Sequence, residues 1–141
     1  MAGNYWEDEV YSAAPLSGLE RTSTSNVFDW LGRTFLSDGG KIDWRSVEAG
    51  HTHQRFGDEE SLVAAALAEI SQRVQPSSTV EHVGDGLSPY GVRFAGGEAI
   101  SVAAVLLEIP EHHYFLAEDR AWIVVVSTEG DLDVVDRVVA C

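Results

Sequence analysis

Apolar residues near the amino terminus recur with the spacing of one face of an α-helix. A first helix is predicted from Asn26 to Leu36, where Asn26 can cap the first turn and Ser37 to Gly40 end it. Its apolar face consists of Val27, Phe28, Leu31 and Phe35. The segment from Met1 to Thr24 shows no sustained period and is predicted to be an irregular arm or to contain a weak strand around Trp6 to Tyr11.

The clearest helical pattern runs from Asp58 to Gln75. Asp58 can cap this helix, and Glu59 and Glu60 lie in its first turn, where the helix dipole favours negative charge. Pro76 ends the run. One apolar stripe follows the helix and consists of Leu62, Val63, Ala66, Leu67, Ile70 and Val74.

From residue 79 onward the pattern changes to strands. Thr79 to Val83 and Tyr90 to Ala95 are predicted to be half-buried strands joined by a glycine-rich turn. Ala121 to Val126 is continuously apolar and β-branched, which predicts a central strand covered on both faces. A turn at Glu129 to Asp131 then leads into a last strand, Leu132 to Val139.

Residues 99–109 are apolar throughout and fit either a buried strand or a helical face. Pro110 and the neighbouring strands favour the strand. Residues 50–57, which include His51 and His53, are predicted to form a loop.

Together these elements predict a single α+β domain spanning residues 1–141. It divides into an irregular arm at 1–24, a mainly helical part at 25–76 and a mainly β part at 79–141. Helices followed by consecutive strands favour an antiparallel sheet of about four to six strands with the N-terminal helices packed on one face.

Charge narrows the class of partner. The chain has 23 acidic residues against 9 Lys plus Arg, a net charge of −14. This balance disfavours nucleic acid and anionic lipid, whose phosphates need cationic side chains, and favours a cationic protein. The single cysteine, Cys141, excludes an intrachain disulfide. The amino terminus lacks a signal-peptide pattern and the chain lacks an apolar span, so we expect a cytoplasmic protein without a membrane anchor.

Two histidine pairs are the candidates for enzyme chemistry. His51 and His53, or His112 and His113, offer metal ligands or a general acid and base, and Glu111 stands beside the second pair. Neither pair belongs to a recognised zinc motif, and adjacent side chains on an extended segment point to opposite faces. We therefore expect no metal and no cofactor.

Aromatic and acidic residues suggest a binding surface instead. Trp6 stands in the arm beside Glu7, Asp8 and Glu9, an apolar anchor ringed by carboxylates that suits a cationic protein partner. The start of the second helix supplies a second acidic cluster, Asp58, Glu59 and Glu60. The alternative is that Trp6 is buried in an N-terminal strand.

Three short segments, Glu111 to Phe115, Asp119 to Val126 and Glu129 to Asp131, resemble the carboxyl-terminal ends of small bacterial immunity proteins encoded beside polymorphic or contact-dependent toxins. The resemblance implies a cytoplasmic protein that binds a cognate toxin and blocks its active site. It transfers no binding residue to this chain. Two other functions stay open: a DNA mimic that inhibits a DNA-binding protein, and a small enzyme that uses the His112/His113 or His51/His53 region.

Overall fold

The computed structural model describes residues 16, 19–25, 27, 29–30, 37–38, 41–42, 50–84 and 90–136. Its strands are β1 Glu20–Thr22, β2 Ser37–Asp38, β3 Lys41–Ile42, β4 Gly50–Arg55, β5 Thr79–Gly84, β6 Gly91–Ala95, β7 His113–Ala117, β8 Trp122–Val126 and β9 Asp131–Asp136. Its two numbered helices are α1 Glu59–Arg73 and α2 Ala99–Leu106. The described residues within 24–30 are also helical.

Seven of these strands form one antiparallel sheet in the order β1-β6-β5-β7-β8-β9-β4. β2 and β3 form a separate hairpin. The α+β class and the antiparallel sheet are confirmed, but the sheet has more strands than the four to six predicted. The expectation of a loop at residues 50–57 is wrong, because Gly50–Arg55 pairs with β9 along its full length. Residues 25–76, which were predicted to be mainly helical, therefore also supply an edge strand of the sheet.

Helix α1 forms where the capping and periodicity predicted it. The Asp58 carboxylate accepts a hydrogen bond of 2.7 Å from the Ser61 backbone N–H, which satisfies one of the free donors at the helix start. The buried stripe consists of Leu62, Ala66 and Ile70. It packs α1 against β8 and β9.

Residues 99–106 are a helix, so the preference for a strand there is wrong. Ala99, Val102, Ala103 and Leu106 are buried, whereas Ile100 is exposed. This spacing of three and four residues is that of one helical face, and alanine is the strongest helix former. Helix α2 contacts α1 and lies on the same face of the sheet, next to β6.

The sheet separates two apolar clusters. The helix face, covered by α1 and α2, holds the larger cluster, which includes Phe115, Val124 and Val134. The opposite face holds a smaller one, where Val27 and Trp30 of the N-terminal helical segment pack against the sheet. The prediction that the N-terminal helices share one face is therefore wrong. The prediction that β8 is covered on both faces is confirmed, because all five of its residues are buried.

A buried ion pair lies on the opposite face. Glu81 is nearly inaccessible to solvent, and its carboxylate accepts a hydrogen bond of 3.1 Å from Arg120. Arg120 adopts a positive φ of 65° in the turn between β7 and β8, and its guanidinium also lies 5.3 Å from the centre of the Trp30 ring. One cation thus connects this turn, the centre of the sheet and the N-terminal helical segment.

Candidate binding pocket and its acidic rim

An open pocket with a volume of about 340 Å³ lies at one end of the sheet. Three segments surround it: the start of α1, the loop that leads into β7, and the turn from Ser127 to Gly130 between β8 and β9. Its size falls at the lower end of the range of about 300–1,000 Å³ found for ligand pockets. The site is therefore large enough for one extended side chain or a small ligand.

The pocket lining is apolar at its base. Leu62 from α1, Leu107 and Ile109 from the loop after α2, and Val126 from β8 are buried core residues that reach the pocket. Its remaining apolar residues are Phe56, Val63 and Pro110. Phe56, Val63 and Pro110 are the lining residues that keep apolar surface in contact with water, and an occupant would bury that surface, at about 25 cal/mol for each Å².

Carboxylates surround this apolar base. We call Asp58, Glu59 and Glu129 the acidic rim, since all three are exposed and line the pocket, and Glu111 adds a nearly buried fourth carboxylate. None of the described residues that line the pocket is lysine or arginine. Excess negative charge at the pocket mouth favours a cationic occupant.

The hydrogen bonds by which Asp58 caps α1 favour the charged form of its carboxyl group. The Ser61 backbone N–H lowers the pKa of the Asp58 carboxyl most, and a second hydrogen bond of 2.9 Å from the Ser61 hydroxyl lowers it further. The positive end of a helix normally attracts anions. Here the helix start already carries its own carboxylate, so this end of α1 presents negative charge to solvent.

Hydrogen bonds connect the pocket segments before anything binds. The Phe56 N–H donates to the Gly130 carbonyl at 2.9 Å, and the Thr128 N–H donates to His112 Nδ1 at 3.1 Å. Gly130 has a φ of +96°, and a Cβ at this position would meet the Phe56 carbonyl, so the turn requires glycine. The pocket shape is thus fixed by the fold, which lowers the ordering cost of binding.

Two buried histidines lie beneath the pocket. The His113 Nε2–H donates to the Ile109 carbonyl at 2.7 Å, since a carbonyl can only accept. With both imidazoles neutral, His113 Nδ1 accepts from His82 Nε2–H, at 2.9 Å. The remaining His82 Nδ1 has no hydrogen-bond partner among the described residues. Burial lowers the pKa of His82 well below its ordinary value, and the neighbouring His113 lowers it further.

Glu111 reaches the same region from the loop before β7. Its backbone N–H donates to the Ile109 carbonyl at 2.9 Å. The same carbonyl also accepts the hydrogen bond from His113. The Glu111 side chain packs so closely against Gly84 at the end of β5 that a Cβ on Gly84 would overlap the carboxylate. Glycine at this strand end therefore makes room for a carboxylate next to the pocket.

The other histidine pair lies elsewhere, on the edge strand β4. His51 bonds Asp133 and His53 bonds Asp131, each at 2.9 Å. Within the described residues, no three His, Cys, Asp or Glu side chains are arranged to hold a metal ion. The two histidine pairs are thus not brought together, and His112 and His113 have different partners.

The structure places only part of the predicted binding surface. Asp58 and Glu59 line the pocket, and Glu60 is exposed in the same helical turn without lining it. The arm cluster Trp6, Glu7, Asp8 and Glu9 lies outside the described residues. Sequence reasoning missed Phe56 and Glu129 as neighbours of α1. The turn signal at Gly130 was visible, but its pairing with Phe56 depends on tertiary structure.

Within the described part of the chain, no helix combines the length and apolar character needed to cross a bilayer. Comparison of the chain with protein-family models, with curated proteins and with solved structures found no match.

Proposed function

We propose that this chain is an acidic protein-binding module, and specifically an immunity protein that binds and neutralises a cationic bacterial toxin in the cytoplasm. The observation that carries the proposal is the open pocket that combines apolar and polar lining residues and is bordered by Asp58, Glu59 and Glu129. At one end of the sheet this pocket combines apolar lining residues with a border of carboxylates, and a binding site for a cationic protein requires both features.

Each feature has a separate physical role. Apolar groups in a shaped depression supply the area whose burial gives affinity, while a polar border excludes water around it. Carboxylates at the border attract a cationic partner before contact and raise the association rate. The net charge of −14 extends this attraction over the whole molecule.

The histidines near the pocket support binding over catalysis. His113 uses both of its ring nitrogens, and His82 uses its Nε2, in a hydrogen-bonded chain inside the core. His112 accepts a backbone hydrogen bond that stabilises the pocket turn. These contacts give the histidines a structural role. That role supports a binding module over the alternative function, a small enzyme.

The test uses charge reversal at the pocket against reversal at the far end of the sheet. The first variant carries Glu59→Lys and Glu60→Lys; Asp58 is kept because it caps α1. The control carries Glu98→Lys and Glu118→Lys, two exposed acids at the opposite end of the sheet. Both variants have the same net charge, so any difference between them reports position.

The partner to be assayed is the product of the neighbouring gene, which the proposed function expects to carry a toxic domain. We expect the pocket variant to associate roughly tenfold more slowly at low salt, with a weaker dependence on salt, and the control to change far less. Equal effects in both variants would mean that binding depends on overall charge, as in a DNA mimic. No binding by the unaltered protein would refute the proposed function.

A further inference from the structure

We infer that the pocket beside α1 receives the side chain of a single arginine from the partner protein. This inference rests on the proposed function and specifies which group of the partner enters the site. The relevant geometry is an apolar base formed by Leu62, Ile109 and Val126, with carboxylates on separate segments around it.

The apolar base fits the stem of a long cationic side chain. Arginine and lysine both carry several methylene groups that pack on apolar surface while the charged head stays near polar groups. The pocket is open to solvent on one side and closed at its base by buried core residues. A single side chain entering from the mouth would place its stem on that base and its head level with the rim.

The carboxylates determine where the head can bind. Glu59 is on the first turn of α1, whereas Glu129 is on the turn between β8 and β9, so the two charges come from different segments of the rim. Glu111 lies closer to the protein interior. A planar guanidinium has five donors and can address more than one of these groups at once, which a single ammonium does less well.

Desolvation and stacking also favour arginine over lysine. The guanidinium is more weakly hydrated than an ammonium, so moving it next to apolar side chains costs less. Phe56 lines the pocket, and a guanidinium, unlike an ammonium, can stack on an aromatic ring that it reaches. Arginine is also enriched among the residues that dominate binding at protein interfaces.

The first test needs no knowledge of the partner. Amide NMR spectra of the full chain are recorded during titration with n-butylguanidinium, n-butylammonium and the neutral planar analogue n-butylurea. We expect saturable shifts at Gly57 and Gly130 with n-butylguanidinium, at a dissociation constant on the order of millimolar, as expected for so small a ligand. The other two probes should bind at least roughly fivefold more weakly.

A pocket-filling variant provides the structural control. A Cβ at Gly57 would meet open space, so Gly57→Phe adds a ring at the pocket without forcing the backbone. Gly97→Phe is the matched variant, because Gly97 lies at the opposite end of the sheet and also has room for a side chain. Gly57→Phe should abolish n-butylguanidinium binding and weaken toxin binding at least roughly tenfold, whereas Gly97→Phe should change neither. Unchanged melting temperatures would show that both variants are folded.

The outcomes separate this inference from the proposed function. If n-butylguanidinium fails to bind while Glu59→Lys with Glu60→Lys still slows toxin association, the arginine pocket is refuted and the binding module stands. Equal binding of n-butylammonium would refute the preference for arginine. Pocket resonances that shift with protein concentration alone would identify a second copy of this chain as the occupant and overturn the assignment. Probe binding without toxin binding would refute both the partner and the proposed function.

Discussion

The buried His82 should make the stability of this protein depend on pH in the mildly acidic range. Burial lowers the pKa of His82 well below 6.5, its ordinary value. The folded state therefore keeps His82 neutral under conditions in which the unfolded chain takes up a proton. Because the unfolded state binds more protons, stability increases with pH. The stabilisation that comes from a neutral His82 is therefore present above about pH 6.5 and is lost as the pH falls below that value.

The magnitude follows from the titration of the unfolded chain. If the folded state binds no proton at His82, lowering the pH from 7.5 to 5.5 costs about 1.4 kcal/mol of unfolding free energy, which is a substantial fraction of a typical 5–15 kcal/mol. Asp136 does not contribute in this window. Its pKa is lowered below 3.8, chiefly by the hydrogen bonds from Arg73, so its contribution is lost only at more acidic pH.

Urea unfolding at several pH values between 5.5 and 7.5 measures this effect. The test variant is His82→Gln, whose amide can donate to His113 Nδ1 in place of the imidazole Nε2–H but does not titrate. We expect the difference in unfolding free energy between the unaltered protein and His82→Gln to change by about 1.4 kcal/mol across the range. A difference that is constant with pH would refute the reasoning.

Three further substitutions test packing and charge. Val124→Asp should destabilise by more than about 4 kcal/mol in urea unfolding, because Val124 is buried on β8, an interior strand of the sheet, whereas Ile100→Asp on the exposed side of α2 should cost far less. Gly84→Ala should lower stability by about 1 kcal/mol, since the added methyl group displaces the end of the Glu111 side chain and disturbs the packing of this nearly buried carboxylate; an unchanged melting temperature would refute this expectation. Arg120→Ala should cost about 1–3 kcal/mol by removing the hydrogen-bonded cation of the buried Glu81 carboxylate, which keeps Arg93 Nε at 4.0 Å, and adding Glu81→Gln should recover part of that loss.

The sequence by itself determined the elements whose signals are local and agree with one another. Helix α1 combines a capping aspartate, acids in its first turn and a regular apolar stripe, and it begins after Asp58 as predicted. Strand β8 is a continuous β-branched run, and its burial on both faces follows from that composition. The exposed acids Asp58 and Glu59 were likewise identified from their position at a helix start.

Other elements were decided by tertiary contacts. Strand β4, Gly-His-Thr-His-Gln-Arg, has no apolar alternation, and it is a strand because β9 supplies its hydrogen bonds along the whole register. Residues 99–106 fit both a helix and a buried strand locally; they form a helix that packs against α1 and the sheet. Local propensity was too weak to decide these two segments, so packing did.

The candidate site shows the same division. Its charged residue types were visible in the sequence, but the pocket exists only because folding brings the start of α1, the loop before β7 and the turn at Gly130 to one end of the sheet. His82 and His113 are 31 positions apart and meet through the pairing of β5 with β7. Strand register fixes such contacts, and register depends on which partner strand each segment finds, a choice that no single segment encodes.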